Sequence, residues 1–298
     1  MENNIVYQED CIEGMRKIPS NSIDLVLTDP PYNITNRNEW DKPIDLENFW
    51  VEIKRVLKEN GCVIVTASQP FTTDLINSNR EMFKYCLYWN KLCPTGFLNS
   101  KKQPLRVIED ICVFYIKPPI YNPQMQKTGK VRKKGGGKVA TLNYGKFKNG
   151  YFSEDDLKYP KNLLEFSNAN KSIIQHPTQK PVELFKWLIK SYSNENQLVL
   201  DCFAGSGTTA IACIETNRKY ICFENNPQYF KIINDRIQSA KSQTQLSNES
   251  CPTEDLIGIK RKPCEVSQSL LRKPSLNSDI IGNFKNPLVS REQLNINR

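Results

Sequence analysis

The chain has 298 residues, 39% of them hydrophobic, with a formal net charge of +9 and a sequence pI near 8.9. That length buries one large core, and the basic balance favours a polyanionic partner. No uncharged apolar run is long enough to cross a bilayer and no secretory leader opens the sequence, so a cytoplasmic protein without a membrane partner is expected. The ten cysteines contain no CxxC pair, and His176 is the single histidine. Buried, reduced thiols are expected, with neither a disulfide framework nor a bound metal.

Residues 4–10 read as a short strand ending in Glu9-Asp10-Cys11, and residues 12–18 as a helix closed by Pro19-Ser20-Asn21. Asp10 stands where a helix cap stands. Ile23-Asp24-Leu25-Val26-Leu27-Thr28 is an apolar, β-branched run that predicts a buried strand. It runs straight into Asp29-Pro30-Pro31-Tyr32. Two prolines remove two ladder donors and fix φ, so the strand must stop there. The residue before a proline is kept out of the α region, which holds Asp29 extended at the strand's carboxyl end. Ligands of open α/β sheets bind at that edge. The tetrapeptide offers a carboxylate, backbone carbonyls and an aromatic face, and its one side-chain donor is the Tyr32 hydroxyl. This suits a planar ring bearing an exocyclic amine, with Asp29 and the Pro30 carbonyl each accepting one N–H and Tyr32 stacking on the ring. A Pro-rich turn with Asp29 as a cap and Tyr32 as a surface aromatic is the plain alternative.

The polar loop 33–43 carries Asn36, Arg37 and Trp40, and fits a cover over a flipped base as well as an ordinary surface loop. Residues 45–58 have helical periodicity, with Phe49, Trp50, Ile53, Val56 and Leu57 on one face and Gly61 as the stop. A strand over 62–67 and a helix from about 69 to 79 follow, and this alternation argues for a parallel sheet. Strands are expected at 83–91 and 111–116, with a polar loop at 93–106 that places Lys101 and Lys102 for phosphate contact or plain solvation. From 117 to 170 the regular pattern fails. Lys127, Lys130, Arg132, Lys133, Lys134 and Lys138 lie in a stretch without acids between Asp110 and Glu154, interleaved with Gly135-Gly136-Gly137 and aromatic residues. Basic residues with glycine and aromatics suit contact along DNA, while a solvated loop is the plain alternative.

His176-Pro177-Thr178-Gln179-Lys180-Pro181 introduces a helix reaching about Tyr192, with Pro181 at its first position and His176 in a structural place. Residues 197–200 form a short apolar strand that feeds Asp201-Cys202-Phe203-Ala204-Gly205-Ser206-Gly207-Thr208, a Gly-rich turn opening a helix over 208–216. The spacing is not G-x-G-x-x-G and no P-loop lysine follows, which disfavours a dinucleotide or a triphosphate. A strand at 220–224 ends in Glu224, an acid suited to ribose hydroxyls, and a helix spans about 228–239. A nucleoside-bearing cofactor without a pyrophosphate fits this set. Beyond 242 the composition turns to Ser, Asn, Gln, Lys and Pro and predicts a flexible tail.

The three motifs, in this order, resemble the β-class amino DNA methyltransferases that use S-adenosylmethionine. The resemblance covers residues from about 4 to 240. It implies a Rossmann-like methyltransferase fold of the α/β class, with a mostly parallel twisted sheet, helices on both faces, permuted motif order and a small irregular target-recognition insertion. The implied division is 1–117 and 173–241 as two halves of one catalytic domain, 118–172 as the target-recognition region and 242–298 as tail. The resemblance gives Asp29, Pro30, Pro31 and Tyr32 to catalysis. It gives Asp10, Cys11, Asp29, Lys180, Asp201, Phe203, Gly205, Ser206, Gly207, Thr208, Glu224 and Asn225 to the cofactor, with Asp10 on the adenine amine and Lys180 on the methionine carboxylate. One departure is Cys202, where the family usually has proline. The implied substrate is a flipped base in double-stranded DNA, adenine N6 ahead of cytosine N4, because Asp-Pro-Pro-Tyr goes mostly with adenine. A homodimer and a cognate restriction endonuclease belong to the same expectation. A catalytically silent DNA-binding protein and an NAD-dependent oxidoreductase are the rivals, the latter lacking its glycine fingerprint.

Overall fold

The computed structural model describes residues 1–33, 43–134, 153–168 and 179–249. In chain order the elements are β1 (Ile5–Tyr7), α1 (Cys11–Arg16), β2 (Ile23–Thr28), α2 (Leu46–Val56), β3 (Leu57–Ala67), α3 (Phe71–Ser78), β4 (Phe83–Thr95), β5 (Arg106–Phe114), β6 (Gln126–Lys134), β7 (Ser153–Lys158), β8 (Leu163–Glu165), α4 (Val182–Tyr192), β9 (Leu198–Asp201), α5 (Thr208–Glu215), β10 (Lys219–Phe223) and α6 (Pro227–Glu249). A single 3-10 turn, Phe97–Asn99, lies between β4 and β5.

Eight strands form one sheet in the order β1-β10-β9-β2-β3-β5-β4-β8. Neighbours pair in parallel except at β5, which runs antiparallel to both β3 and β4. The expected mostly parallel sheet is therefore present, with one reversed strand near its end. Because successive side chains of a strand point to opposite faces, β2 feeds two cores. Leu25 and Leu27 join the cluster of α4, α5 and α6, and Val26 joins that of α1, α2 and α3. Helices thus cover both faces.

The sheet's central seam is the pairing of β2 with β9, registered at Leu25 with Val199 and Val26 with Leu200. An aspartate secures each end of it. Asp24 accepts the Leu198 amide at 2.9 Å and the Gln197 Nε2 at 3.0 Å. At the other end Thr28 Oγ1 donates to Asp201 Oδ1 at 2.7 Å, across 173 residues of sequence. Both strands point their carboxyl ends the same way, so Asp29 and the Gly-rich turn emerge side by side.

The structure departs from the sequence reading in four places. Gly61 does not end α2; the chain turns extended at Leu57, which pairs with Ile23, and Gly61 lies in the bulge before Leu25 pairs with Cys62. A side chain at Gly61 would meet Leu57 at 2.7 Å, which explains the glycine. Most of the loop expected at 93–106 is narrowed, since β4 runs to Thr95 and β5 begins at Arg106. The stretch 117–170, read as irregular, contains the β6–β7 hairpin and the edge strand β8. Finally, α6 continues past the expected boundary at 241 to Glu249. Among the described residues no helix is long and apolar enough to cross a membrane.

Gly207 caps α5 with φ +82°, and a Cβ there would approach Ile233 Cγ2 of α6 to 2.9 Å. Gly207→Ala should therefore lower stability by about 1–3 kcal/mol in urea denaturation, through a left-handed backbone and overpacking against α6.

Candidate active site

A cleft of about 1420 Å³ opens along the carboxyl ends of β1, β2, β9 and β10. Sites for one drug-sized ligand run to roughly 300–1,000 Å³, so this cleft has room for two. Its two walls differ in chemistry.

The first wall is built by α1, the turn after β9 and the end of β10. Asp10 caps α1, and Oδ1 accepts from the Ile12 amide at 2.8 Å and the Glu13 amide at 3.3 Å. Burial, then the neighbouring Asp10, pushes the Cys11 thiol up to about 12, so it stays protonated. Gly205 has φ +54° and nothing within 4 Å of where a Cβ would stand, leaving its backbone open to the cleft. Glu224 accepts the Gly205 amide on Oε2 and the Asn226 amide on Oε1, each at 2.8 Å. Four lone-pair sites on a carboxylate leave it capacity for hydroxyl donors. Phe203, Ser206, Thr208 and Asn225 line the same wall.

Two residues expected at the cofactor have structural roles in the turn. Gly207 is absent from the cleft lining and packs on Ile233. Asp201 borders the cleft, but its carboxylate is engaged inward. Oδ1 takes Thr28 and the Phe203 amide at 3.0 Å, and Oδ2 takes Thr209 at 2.5 Å. Burial, only partly offset by these donors, pushes its pKa up to about 6.

The second wall carries the Asp-Pro-Pro-Tyr segment. Pro30, Pro31 and Tyr32 line the cleft, and Asp29 is contested from three sides. Tyr32 donates to Asp29 Oδ1 at 2.7 Å and Thr66 of β3 donates to the same oxygen. Lys180 Nζ lies 2.8 Å from Oδ2. The Tyr32 ring stacks on Phe71 of α3, with centroids 5.6 Å apart, and Lys180 Nζ is 5.3 Å from its centroid. Lys180 also approaches Glu109 of β5 at 3.5 Å, and Glu109 is held on its other oxygen by Lys91 of β4 at 3.1 Å. The four charges alternate in a row, Lys91, Glu109, Lys180, Asp29. Burial opposes the charge on Lys180, but Asp29 and Glu109 outweigh it and hold its pKa well above the usual lysine value. Burial and then Asp29 raise the Tyr32 hydroxyl well above its ordinary range, so it is a neutral donor.

Such an acceptor-rich segment beside a Gly-rich nucleoside turn narrows the family sharply. Residues 23–235 match the model of the N6_N4_Mtase family, described as DNA methylase. The chain belongs to this family. It is 26% identical to the type II methyltransferase M.HpaI of Haemophilus parainfluenzae, over 95% of this chain and 87% of that protein. It is 29% identical to the DNA adenine methyltransferase YhdJ of Escherichia coli K12, over 78% and 81% respectively. Among solved structures, M1.HpyAVI in its SAM complex has a TM-score of 0.52 at 22% identity, covering 78% of this chain and 98% of that one. The cytosine-N4-specific PvuII DNA methyltransferase has a TM-score of 0.57 at 20% identity, covering 84% and 93%. These last two likenesses concern the fold.

In this methylase Lys180 sits with Asp29 and Glu109, where the sequence placed it at a cofactor carboxylate. Tyr32, expected to face a base, is already stacked on Phe71. Lys101 and Lys102 are exposed on the β4–β5 turn, whose Gly96, Phe97 and Arg106 line the cleft. Lys127 and Lys130 are exposed on β6. Further along, the backbone register sets Arg132 opposite Asp155 and Lys133 opposite Glu154, so the basic strand runs beside an acidic one. Lys138, Trp40, His176 and most of the tail lie outside the described residues. The sequence reading missed Glu109, Lys91, Thr66 and Thr209. The available signal was an acid pair, Glu109-Asp110, set inside an apolar strand, because a charge in a buried strand needs a partner. No metal-binding group of side chains is present among the described residues.

The raised pKa of Asp201 carries a sign. Folding favours its protonated form, a contribution complete below the ordinary value of 3.8 and lost as pH rises through about 6. Relative to Asp201→Asn, the wild type should lose about 2–3 kcal/mol of stability between pH 4 and pH 7, read by urea denaturation of both proteins at each pH.

Proposed function

We propose that this methylase transfers a methyl group from S-adenosylmethionine to the exocyclic N6 of an adenine flipped out of double-stranded DNA. The observation that carries the reading is the placement of Asp29-Pro30-Pro31-Tyr32 in one cleft with the open Gly205 backbone and Glu224. The residues fit the cofactor: Glu224 has spare acceptor sites for ribose hydroxyls, Asp10 keeps Oδ2 out of its cap, and Phe203 and Asn225 stand beside them. S-adenosylmethionine, when bound, supplies a methyl group activated by its sulfonium.

The protein's contribution is orientation and electrostatics. Asp29 and the Pro30 carbonyl accept the two N–H groups of the amine. This draws the nitrogen lone pair out of conjugation with the ring and stabilises the positive charge that develops on nitrogen as the N–C bond forms and the methyl–sulfur bond breaks. Tyr32, fixed through Asp29 and Phe71, offers a rigid aromatic surface. The methylated amine then gives up one proton to solvent. Adenine is favoured over cytosine because the segment begins with Asp and because YhdJ carries the name of an adenine methyltransferase. Base flipping costs roughly a few kcal/mol of unstacking. The rim of the cleft supports that step with the exposed Phe97 and the fully exposed Leu98, flanked by Lys101 and Lys102. An apolar tip next to cations matches the gap a departing base leaves in a duplex. The region 118–172 is assigned to target recognition, and the methylated site is read as one protected from a cognate restriction endonuclease in the cytoplasm.

The test is a nucleoside digest, by mass spectrometry, of DNA treated with enzyme and methyl-deuterated S-adenosylmethionine. Labelled N6-methyladenine is expected, and Asp29→Ala should reduce it by at least about a hundredfold while cofactor affinity largely survives. Labelled N4-methylcytosine would overturn the base assignment, and absence of label with cofactor bound would overturn the activity. For the DNA face, Lys101→Ala with Lys102→Ala should reduce the slope of log affinity against log salt by about 2, with cofactor affinity unchanged.

A further inference from the structure

We infer that Lys180 is a counterion shared by Asp29 and Glu109, and that arrival of the target amine moves it from the first carboxylate to the second. The inference rests on the methyl-transfer reading above and adds Glu109 to it as a positioning residue. Three observations combine. Lys180 Nζ is 2.8 Å from Asp29 Oδ2 and 5.3 Å from the centre of the Tyr32 ring. A base stacked on Tyr32 with its amine on Asp29 must enter where that ammonium lies, since Phe71 is already stacked against the ring. Asp29 Oδ1, meanwhile, is taken by Tyr32 and Thr66, so Oδ2 is the oxygen the amine needs.

The ammonium has a second seat prepared. Glu109 Oε2 is buried, has no hydrogen-bond partner among the described residues, and stands 3.5 Å from Lys180 Nζ. Its other oxygen is anchored by Lys91, which also reaches Thr95 Oγ1 at 3.0 Å, so the seat is fixed. A buried carboxylate oxygen without a donor is costly unless another state satisfies it. A shift of Lys180 by less than one hydrogen-bond length provides that state. The row Lys91, Glu109, Lys180, Asp29 stays neutral throughout, and the amine's developing positive charge meets an Asp29 from which the competing cation has withdrawn. The charged and titratable groups facing Lys180 are Asp29, Tyr32 and Glu109, with Asp201 next beyond Asp29.

The experiment measures single-turnover methyl transfer and S-adenosylmethionine affinity for wild type, Glu109→Gln, Lys180→Met and the double variant. Glu109→Gln should slow transfer by about tenfold, because the only carboxylate left to Lys180 is Asp29, with cofactor affinity within about twofold of wild type. Lys180→Met removes the cation between two carboxylates and leaves Lys91 as the one counterion of the pair. One of them should then hold a proton, moving the acidic limb of the pH–rate profile upward. The double variant should transfer faster than Lys180→Met and restore the limb, an outcome that a purely structural role does not produce. Glu109→Asp, which keeps the charge but shortens the reach, should give an intermediate rate and covers the case in which Glu109→Gln fails to fold. The inference is overturned if Glu109→Gln transfers at the wild-type rate, or if Lys180→Met raises the cofactor dissociation constant at least tenfold, which would return Lys180 to a cofactor carboxylate. A wild type that labels no DNA would instead overturn the activity, and this inference with it.

Discussion

The site depends on the seam between β2 and β9. These strands come from distant parts of the chain, yet they must lie edge to edge for the Asp29 segment and the Gly-rich turn to share a cleft. Only two residue pairs define their register. The side-chain bonds at either end supply the rest: Asp24 holds the start of β9, and Asp201 holds Thr28 and Thr209. Slippage by one residue would turn every side chain of β2 to the other face, exchanging the contents of both cores. Cys202 belongs to this arrangement. Its amide donates to Thr28 Oγ1 at 3.2 Å, a bond that the proline usual at this place in the family cannot make.

Around the seam, electrostatics sets the character of the second wall. Buried charges are expensive, and an alternating row is the way to keep four of them without net charge. The row also explains why Asp29 carries so many donors in a region that must later accept an amine. Tyr32 and Thr66 hold one oxygen as a fixed anchor, while Lys180 holds the other as an exchangeable guest. Rigid placement and replaceable occupancy are divided between two atoms of one carboxylate.

Much of this was legible in the sequence because the relevant signals are local. Apolar β-branched runs gave β2, β9 and β10, and the paired prolines fixed where β2 ends. The glycine pattern alone separates a nucleoside site from a dinucleotide site. What was not legible is non-local. Lys180 lies beside Gln179 in a motif that suggests one role, but its partners are Asp29 just after β2, 151 residues away, and Glu109 on the reversed strand β5. Gly61 looks like a helix stop because glycine ends helices, whereas here β-pairing of Leu57 with Ile23 ends α2 first. The hairpin β6–β7 escaped because strands of lysines and of acids lack the apolar alternation by which strands are recognised. Their opposite charges in register are visible only once the strands are paired.

The reversal of β5 has a consequence for how such a protein can diversify. A parallel strand presents the residues at its end to the cleft, but β5 presents those near its beginning, which is how Glu109 reaches Lys180. The turn leading into it is bounded by pairs on both sides, Asn90 with Ile108 and Thr95 with Arg106. Lengthening that turn changes neither register, and the entropic cost of a longer loop grows slowly, by about 0.6 kcal/mol for each doubling. The segment proposed to meet the duplex is therefore free to be rewritten by insertion and deletion, while the charges proposed to receive the base stay in place a few residues away. Variation in that turn becomes accessible to the lineage without rebuilding the charge row beside it.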